Sequence, residues 1–345
     1  MPAGGCERDV MLQAERVDTT RSDIPSAAVA PAWRPPGWHR SLQLALAVVW
    51  LLDGVLQFQR FMFTPGSNGF SGMLAGMAPG NPGAIASSIT WNAHVVDHHA
   101  IATDTAFALI QVAIGLGIAW RPTVKPALAL SVAWSLGVWW FGEGLGGVLH
   151  GTGSPVAGGP GAVLFYALLA VLLWPASGGQ PPPFAAAATV GVRAARAVWS
   201  VTWVLLALLC LLGSSRAPQG THDIVAGLAT GQPGWLGALD RHVASGIGDH
   251  GLLVAVLLAV SFLVLAVATY LPPSWTRPIL AVAVVLSLAI WVFGQNFGMI
   301  LAGGATDPNS GPLLALLVLA YWPLRQATRA APSRATPAPA SLEVA

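Results

Sequence analysis

Trp139-Trp140-Phe141-Gly142-Glu143-Gly144-Leu145-Gly146-Gly147, running on to His150, decides how this chain is organised. An apolar helix ends here in aromatic residues and meets a carboxylate among glycines. The design returns about 150 residues later as Trp291-Val292-Phe293-Gly294-Gln295-Asn296-Phe297-Gly298, with an amide where the carboxylate stood.

Working outward, more of the chain pairs up, as an internal repeat requires. Ala75–Gly83 returns as Ala226–Gly234, Trp50 and Pro65 as Trp203 and Pro218, and Trp174-Pro175 as Trp322-Pro323. His94, Asp97 and His98 match His242, Asp249 and His250, with extra residues in the second copy. Order, spacing and residue type agree throughout, so the chain reads as a tandem duplication.

Of the 345 residues, 54% are hydrophobic and only 9% charged, with a mean hydropathy of +0.65. Soluble domains carry roughly a quarter charged residues, so a soluble class is excluded. Apolar runs reach the roughly 17–25 residues that span a bilayer as helix, and the short alternating segments of a membrane β-barrel are absent. The reading is an all-α, multi-pass membrane protein with eight transmembrane helices, at 42–63, 100–120, 126–142, 160–175, 197–213, 251–271, 278–300 and 311–324.

Alternate sides of the membrane then divide the 16 Lys and Arg thirteen to three, with Arg60, Arg216 and Arg241 on the poorer side. The positive-inside rule puts both termini in the cytoplasm of a cell-membrane protein. Each repeat holds four spans, an even number, so the two are expected in parallel orientation. The division is a disordered cytoplasmic tail at 1–40, a first four-helix repeat at 41–176, a cytoplasmic linker at 177–196, a second repeat at 197–324 and a disordered tail at 325–345. Long external loops near 64–93 and 214–241, broken by Gly and Pro, are expected to fold back as short helices. Cys6 and Cys210 offer no disulfide framework.

Polar residues inside the spans are lopsided. Asp53 faces Leu206 in the second copy, Gln57 faces Cys210, Arg60 faces Gly213, Asp104 faces Val256, Gln111 faces Leu263 and Glu143 faces Gln295. An acid at mid-bilayer costs about 2.5–3.5 kcal/mol on insertion scales and turns toward a cavity or a partner. Asp53, Asp104 and Glu143 are therefore the candidate catalytic, proton-handling groups, unless Asp53, Asp104 and Arg60 simply pair to hold helices together. Gln57, Gln111, Trp139 and Trp140 are candidates for holding a cofactor. His94 and His98 stand four apart on one helical face, a spacing that suits a metal, and His150 is the third candidate ligand. Against a metal or a His-held haem, Asp97 and Asp249 sit where an N-cap is expected. Gly142-Glu143-Gly144-Leu145-Gly146-Gly147 fits G-x-G-x-x-G by letter but follows a membrane helix, so it fails as a dinucleotide site. Most tryptophans, including Trp38, Trp91, Trp120, Trp199, Trp235 and Trp275, fall near span ends and read as interfacial belts.

The four-span unit resembles the DoxX/DoxD-like family of small membrane proteins. The resemblance rests on Gln111-Val112-Ala113-Ile114-Gly115-Leu116-Gly117 before the basic loop at Arg121, on the glycine-rich loop after the third span, and on Tyr166 in the fourth. It covers 41–176 and, more weakly, 197–324; family members usually hold one such unit. It implies membrane redox work of the kind linked to thiosulfate oxidation and quinone, with no catalytic signature to carry over. Three functions follow as expectations. One is a quinone-linked redox protein or redox-complex subunit with its site in the external half of the first repeat. Another is a transporter or metal-handling protein binding at the repeat interface; a non-catalytic assembly subunit is the third. The expected partners are the lipid bilayer, a small lipophilic or ionic ligand and other membrane redox subunits, with no nucleic acid.

Overall fold

The computed structural model describes residues 37–176 and 182–324. The expectations for residues 1–36, 177–181 and 325–345, which include most of both tails and Cys6, lie outside the described residues. Among those described, every regular element is helical. The first half runs α1 Trp38–Leu56, α2 Phe70–Gly76, α3 Gly83–His98, α4 Ala100–Ala119, α5 Val124–Phe141 and α6 Ala162–Leu172. The second runs α7 Ala187–Cys210, α8 Gly220–Leu228, α9 Gly234–Ile247, α10 Gly251–Val267, α11 Pro273–Phe293 and α12 Ser310–Ala320. Element by element the order is the same, and α2, α3, α8 and α9 are the short helices expected in the long loops. α7 begins at Ala187, inside the stretch taken as linker.

Six helices, α1, α4, α5, α7, α10 and α11, are long and apolar enough to cross a membrane. Their outward faces suit lipid: α10 exposes Leu253, Leu257, Val260 and Val264 along one stripe. The two remaining expected spans are different. α6 and α12 have 11 residues each, which at about 1.5 Å per residue cover roughly 16 Å, about half of a ~30 Å hydrocarbon core. They are the most enclosed helices, packed on each other at the centre. The first span is also shorter than expected, since residues 57–63 form turns beyond α1.

What precedes each short helix is buried loop. Gly144, Leu145, Gly146 and Gly147 form a left-handed turn with φ of 55, 57, 62 and 70°. Asn296, Phe297, Gly298 and Met299 repeat it at 51, 56, 68 and 62° although three of the four are not glycine. The turn is pinned identically in both halves: Trp139 Nε1 donates to Pro160 O at 2.7 Å and Trp291 Nε1 to Pro308 O at 2.7 Å. Protein covers part of each turn, burying Gly144 and Leu145 in the first and Asn296 and Gly298 in the second.

The halves exchange contacts. α1 packs on its own α4 and on α12, while α7 packs on its own α10 and on α6. One apolar core, with Leu46, Trp50, Tyr166, Trp199, Leu314 and Leu317, runs through both. Trp199 belongs to that core, fully buried with its Nε1 donating to Leu265 O at 2.7 Å, rather than to an interfacial belt. At the opposite end from Glu143, Arg40 donates to the carbonyls of Ile118 (2.9 Å) and Ala119, capping the C-terminus of α4.

Candidate functional site

A cavity of about 280 Å³ lies in the first half, beneath the left-handed turn. Its walls are apolar and aromatic: Trp50, Phe70, Trp91, Phe107, Trp134 and Phe141 surround it, with Met73 and Leu74. It is lined by Asp53 from α1, Gln57 just after α1, Gln111 from α4, Glu143 after α5, Tyr166 from α6, and Asp307 from the loop before α12. Asp53 is 2% exposed and its Oδ1 has no hydrogen-bond partner; Gln111 is 8% exposed and its Oε1 has none. The Tyr166 hydroxyl faces Asp53 without a hydrogen bond of normal geometry. Buried polar atoms are normally satisfied, and leaving one unmade costs about 1–3 kcal/mol. Their clustering on one cavity marks it as a place for a polar group brought by a ligand or by water.

Glu143 is positioned by the turn and by α6. Its carboxyl faces the backbone N–H groups of Val163 and Ala162 in the first turn of α6, while its Oε2 is buried with no hydrogen-bond partner. Gly161, at φ 119°, lets it approach: a Cβ there would stand 2.1 Å from Glu143 Oε2. Burial, with the carboxylate of Asp307 adding repulsion, pushes Glu143 up to about 8. Asp307 is held by Asn309 N, which donates to Oδ1 at 2.6 Å, and by Thr306 Oγ1 at 3.0 Å from Oδ2. Burial raises it too. Its loop is fastened to the first half, as Gln57 Nε2 donates to Thr306 O (3.0 Å) and Gln59 Nε2 to Ala305 O (2.9 Å).

A second cavity, of about 410 Å³, abuts the first and shares Met73, Gly142, Glu143, Thr306 and Asp307 with it. Loop backbone and polar side chains line it, including His150, Thr152 and Asn309. The two acids therefore stand at the junction of an apolar chamber and a polar one.

The structure brings together Asp53, Gln57, Gln111 and Glu143, and leaves other expected residues apart. Asp104 is fully buried on α4, both oxygens without a partner, but does not line the cavity. Trp139 and Trp140 do not line it either; their indoles are spent on Pro160 O and on Ser88 Oγ, and Trp291 repeats the first contact in the second half, where Gln295 stands in place of Glu143. His94 and His98 stack on each other with ring centres 4.1 Å apart, whereas His150 lies against Gly80, before the far end of α3. Eleven residues of helix from Gly83 to His94 are roughly 16 Å, so the three do not form one ligand set. Among the described residues no group of three or more His, Cys, Asp or Glu is placed to hold a metal ion. Asp97 is no N-cap: it sits within α3, accepting from Gly66 N (2.7 Å) and Ser71 Oγ (2.8 Å), which lowers its pKa. Asp249, between α9 and α10, accepts from Gln219 Nε2. Arg60 is exposed, and the one ion pair among the described residues joins His222 and Asp223.

Sequence reasoning missed Asp307. Glu143 and Gln295 are related by an offset of 152 residues, but Pro160 and Pro308 by 148, which sets Asp307 against Gly159. Aligning the loops on that second offset exposes an acid present only in the second copy. Four counterparts of the cavity residues, Leu206, Cys210, Ala259 and Leu314, are packed into the core instead, whereas Leu263, opposite Gln111, is exposed.

No family model, no curated protein and no solved structure matches this chain.

Proposed function

We propose that the chain is an eight-span protein of the cell membrane, built as two parallel four-helix repeats with both termini cytoplasmic, and that it is a quinone-linked redox protein or redox-complex subunit. α6 and α12, each extended by its buried loop, supply the fourth span of a repeat. The thirteen-to-three division of basic residues supports the orientation. A cysteine at Thr152 in a Cys-free background then reacts with an impermeant reagent, and one at Pro182 does not; the reverse labelling inverts the topology.

The observation that carries the redox reading is an aromatic-walled cavity lined by Asp53, Gln111 and Tyr166, the last with a buried hydroxyl that has no hydrogen-bond partner. A quinone ring presents a flat apolar body and carbonyl acceptors, and the donors it needs are here: the Gln111 amide, the Tyr166 hydroxyl and a protonated Asp53 carboxyl. Bound, it would supply the reversible uptake of electrons and protons. The protein's own part is to exclude water, orient the ring between Trp50, Phe107 and Trp134, and hold protons at Asp53, Glu143 and Asp307 beside the polar chamber. Two of the residues that carry the DoxX/DoxD-like resemblance, Gln111 and Tyr166, line this cavity. Organic extraction of protein purified in mild detergent, with an ultraviolet–visible spectrum and metal analysis, tests it. Co-purifying quinone supports the reading; a protein with neither extracted quinone nor quinone binding on titration sinks it. The abutting cavities favour a second reading, a transporter passing a small ionic ligand between Glu143 and Asp307. Ligand flux into proteoliposomes without redox turnover would be its signature.

A further inference from the structure

Gly137 sits inside α5, where glycine weakens a helix and nothing local asks for one. Its backbone is not left-handed, and a Cβ built there meets nothing within 4 Å. One turn earlier Ala133 is exposed, and both line the cavity with Phe107 of α4 and Trp134 of α5. The rings of Phe107 and Trp134 meet edge to face with centres 5.4 Å apart. The cavity therefore has an open flank at Gly137 on α5, a helix apolar enough to cross a membrane. Around it α5 exposes Leu130 and Leu136, and α4 exposes Leu109. In the second half, at the offset of 152, Ala133 becomes Val285, Gly137 becomes Ala289, Phe107 becomes Ala259 and Trp134 becomes Leu286. The glycine and the aromatic pair occur together beside the cavity, and both are absent from the second half.

The other end of the cavity is polar, with Asp53 Oδ1 and Gln111 Oε1 buried and unpartnered. A volume of about 280 Å³ sits at the small end of the roughly 300–1,000 Å³ usual for ligand pockets. It holds a ring and has no room for a long chain.

Resting on the reading of this cavity as a quinone site, we infer that its ligand enters sideways from the bilayer through the opening at Ala133 and Gly137, and is a long-chain quinone whose ring reaches Asp53 and Gln111 while its chain stays in lipid. A water-soluble ligand has no use for an opening onto lipid and would come through the polar chamber at Glu143.

The test uses the full chain in lipid nanodiscs, with binding read from quenching of tryptophan fluorescence, since Trp50 and Trp134 line the cavity. The probes are a benzoquinone with a long isoprenoid chain and the same ring without a chain. Gly137→Leu grows from a helical position with free space beyond its Cβ, so the fold is expected to stand; Ala289→Leu is the matched control. The inference expects Gly137→Leu to weaken the chain-bearing quinone about tenfold or more while changing the chainless ring by less than about threefold, with Ala289→Leu matching wild type. Unchanged binding of the chain-bearing quinone by Gly137→Leu overturns the entrance, as does equal loss of both probes, which would mean that leucine fills the ring site itself. A wild-type protein that binds neither probe sinks the quinone reading and this inference with it.

Discussion

Glu143 and Gln295 do the same structural work, and the comparison separates capping from chemistry. Gln295 Oε1 accepts from Gly311 N at 3.0 Å and its Nε2 donates to Ser310 Oγ at 2.7 Å, so a neutral amide completes the start of α12. Glu143, raised from 4.5 to about 8, is the neutral equivalent at the start of α6. A carboxyl with a raised folded-state pKa contributes stability that is whole below pH 4.5 and is lost as pH rises through about 8. Glu143→Gln is therefore expected to change the melting temperature by less than about 2 °C at pH 5 and to flatten its fall between pH 5 and 9. A variant that melts well below wild type at pH 5, or keeps the wild-type slope, refutes this assignment. Asp53 carries the complementary prediction. With no ion pair to strand, neutralising it removes a buried acid at no cost elsewhere, so Asp53→Asn keeps or raises the melting temperature. Asp53→Leu copies Leu206, the residue at that place in the second half, and folds while weakening quinone binding about tenfold, the loss of one buried hydrogen bond. Collapse of both variants in size-exclusion chromatography would make Asp53 a structural group.

The left-handed turn and the half-length helix behind it form the element on which the site depends. At Gly146, φ is 62° and a Cβ would stand 1.9 Å from Pro160 O; at Gly298 it would stand 2.6 Å from Pro308 C. Alanine at either position is expected to destabilise by about 2 kcal/mol or more, read as a drop in melting temperature. Gly137→Ala, free of both constraints, should stabilise by about 0.5–1 kcal/mol. Equal effects at 137 and 146 would count against the turn. This element also marks where the sequence stopped being legible. Long apolar runs announced α4, α5 and α10 to within a few residues, because composition over many residues dominates that signal, whereas α7 begins ten residues and α11 five residues earlier than expected. The stretch from Pro160 to Trp174 carried the same signal, yet hydropathy counts apolar side chains and is blind to whether backbone is helix or buried loop. At the site, the one-sided acids and amides revealed Asp53, Gln57, Gln111 and Glu143, since a charge inside a span is expensive wherever it points. Asp104 shows the weakness of that argument: the cost is the same and it shares a helix face with Phe107 and Gln111, but it stands two turns before Gln111 and does not line the cavity. Trp139 misled because an indole beside an acid reads as a ligand wall, while its donor is needed to tie down Pro160 O.

At the scale of the molecule, the second half cannot be only a scaffold, because the loop carrying Thr306 and Asp307 closes the first half's cavity. α1 and α12, and α6 and α7, bury apolar faces across the two halves, and Tyr166 and Trp50 share a core with Leu314 and Leu317. A chain ending at residue 176 would expose those faces, and large exposed apolar patches within a bundle drive association. Its readiest partner is a second copy of itself, since the halves share one design. Such a dimer offers Gly159 where the full chain offers Asp307. The expectation is that residues 1–176 and 177–345 made as separate chains co-purify, and that the pair binds quinone like the intact protein. Residues 1–176 alone should self-associate and bind about tenfold more weakly or worse. Asp307→Asn in the intact chain isolates the acid from the packing. It keeps the Oδ1 acceptor for Asn309 N and should leave quinone affinity near wild type while shifting the pH dependence of redox turnover, because a neighbour that raises Glu143 by repulsion is gone and Glu143 then titrates lower. Full affinity in residues 1–176 alone, or an Asp307→Asn pH profile superimposable on wild type, would return the second half to the role of scaffold.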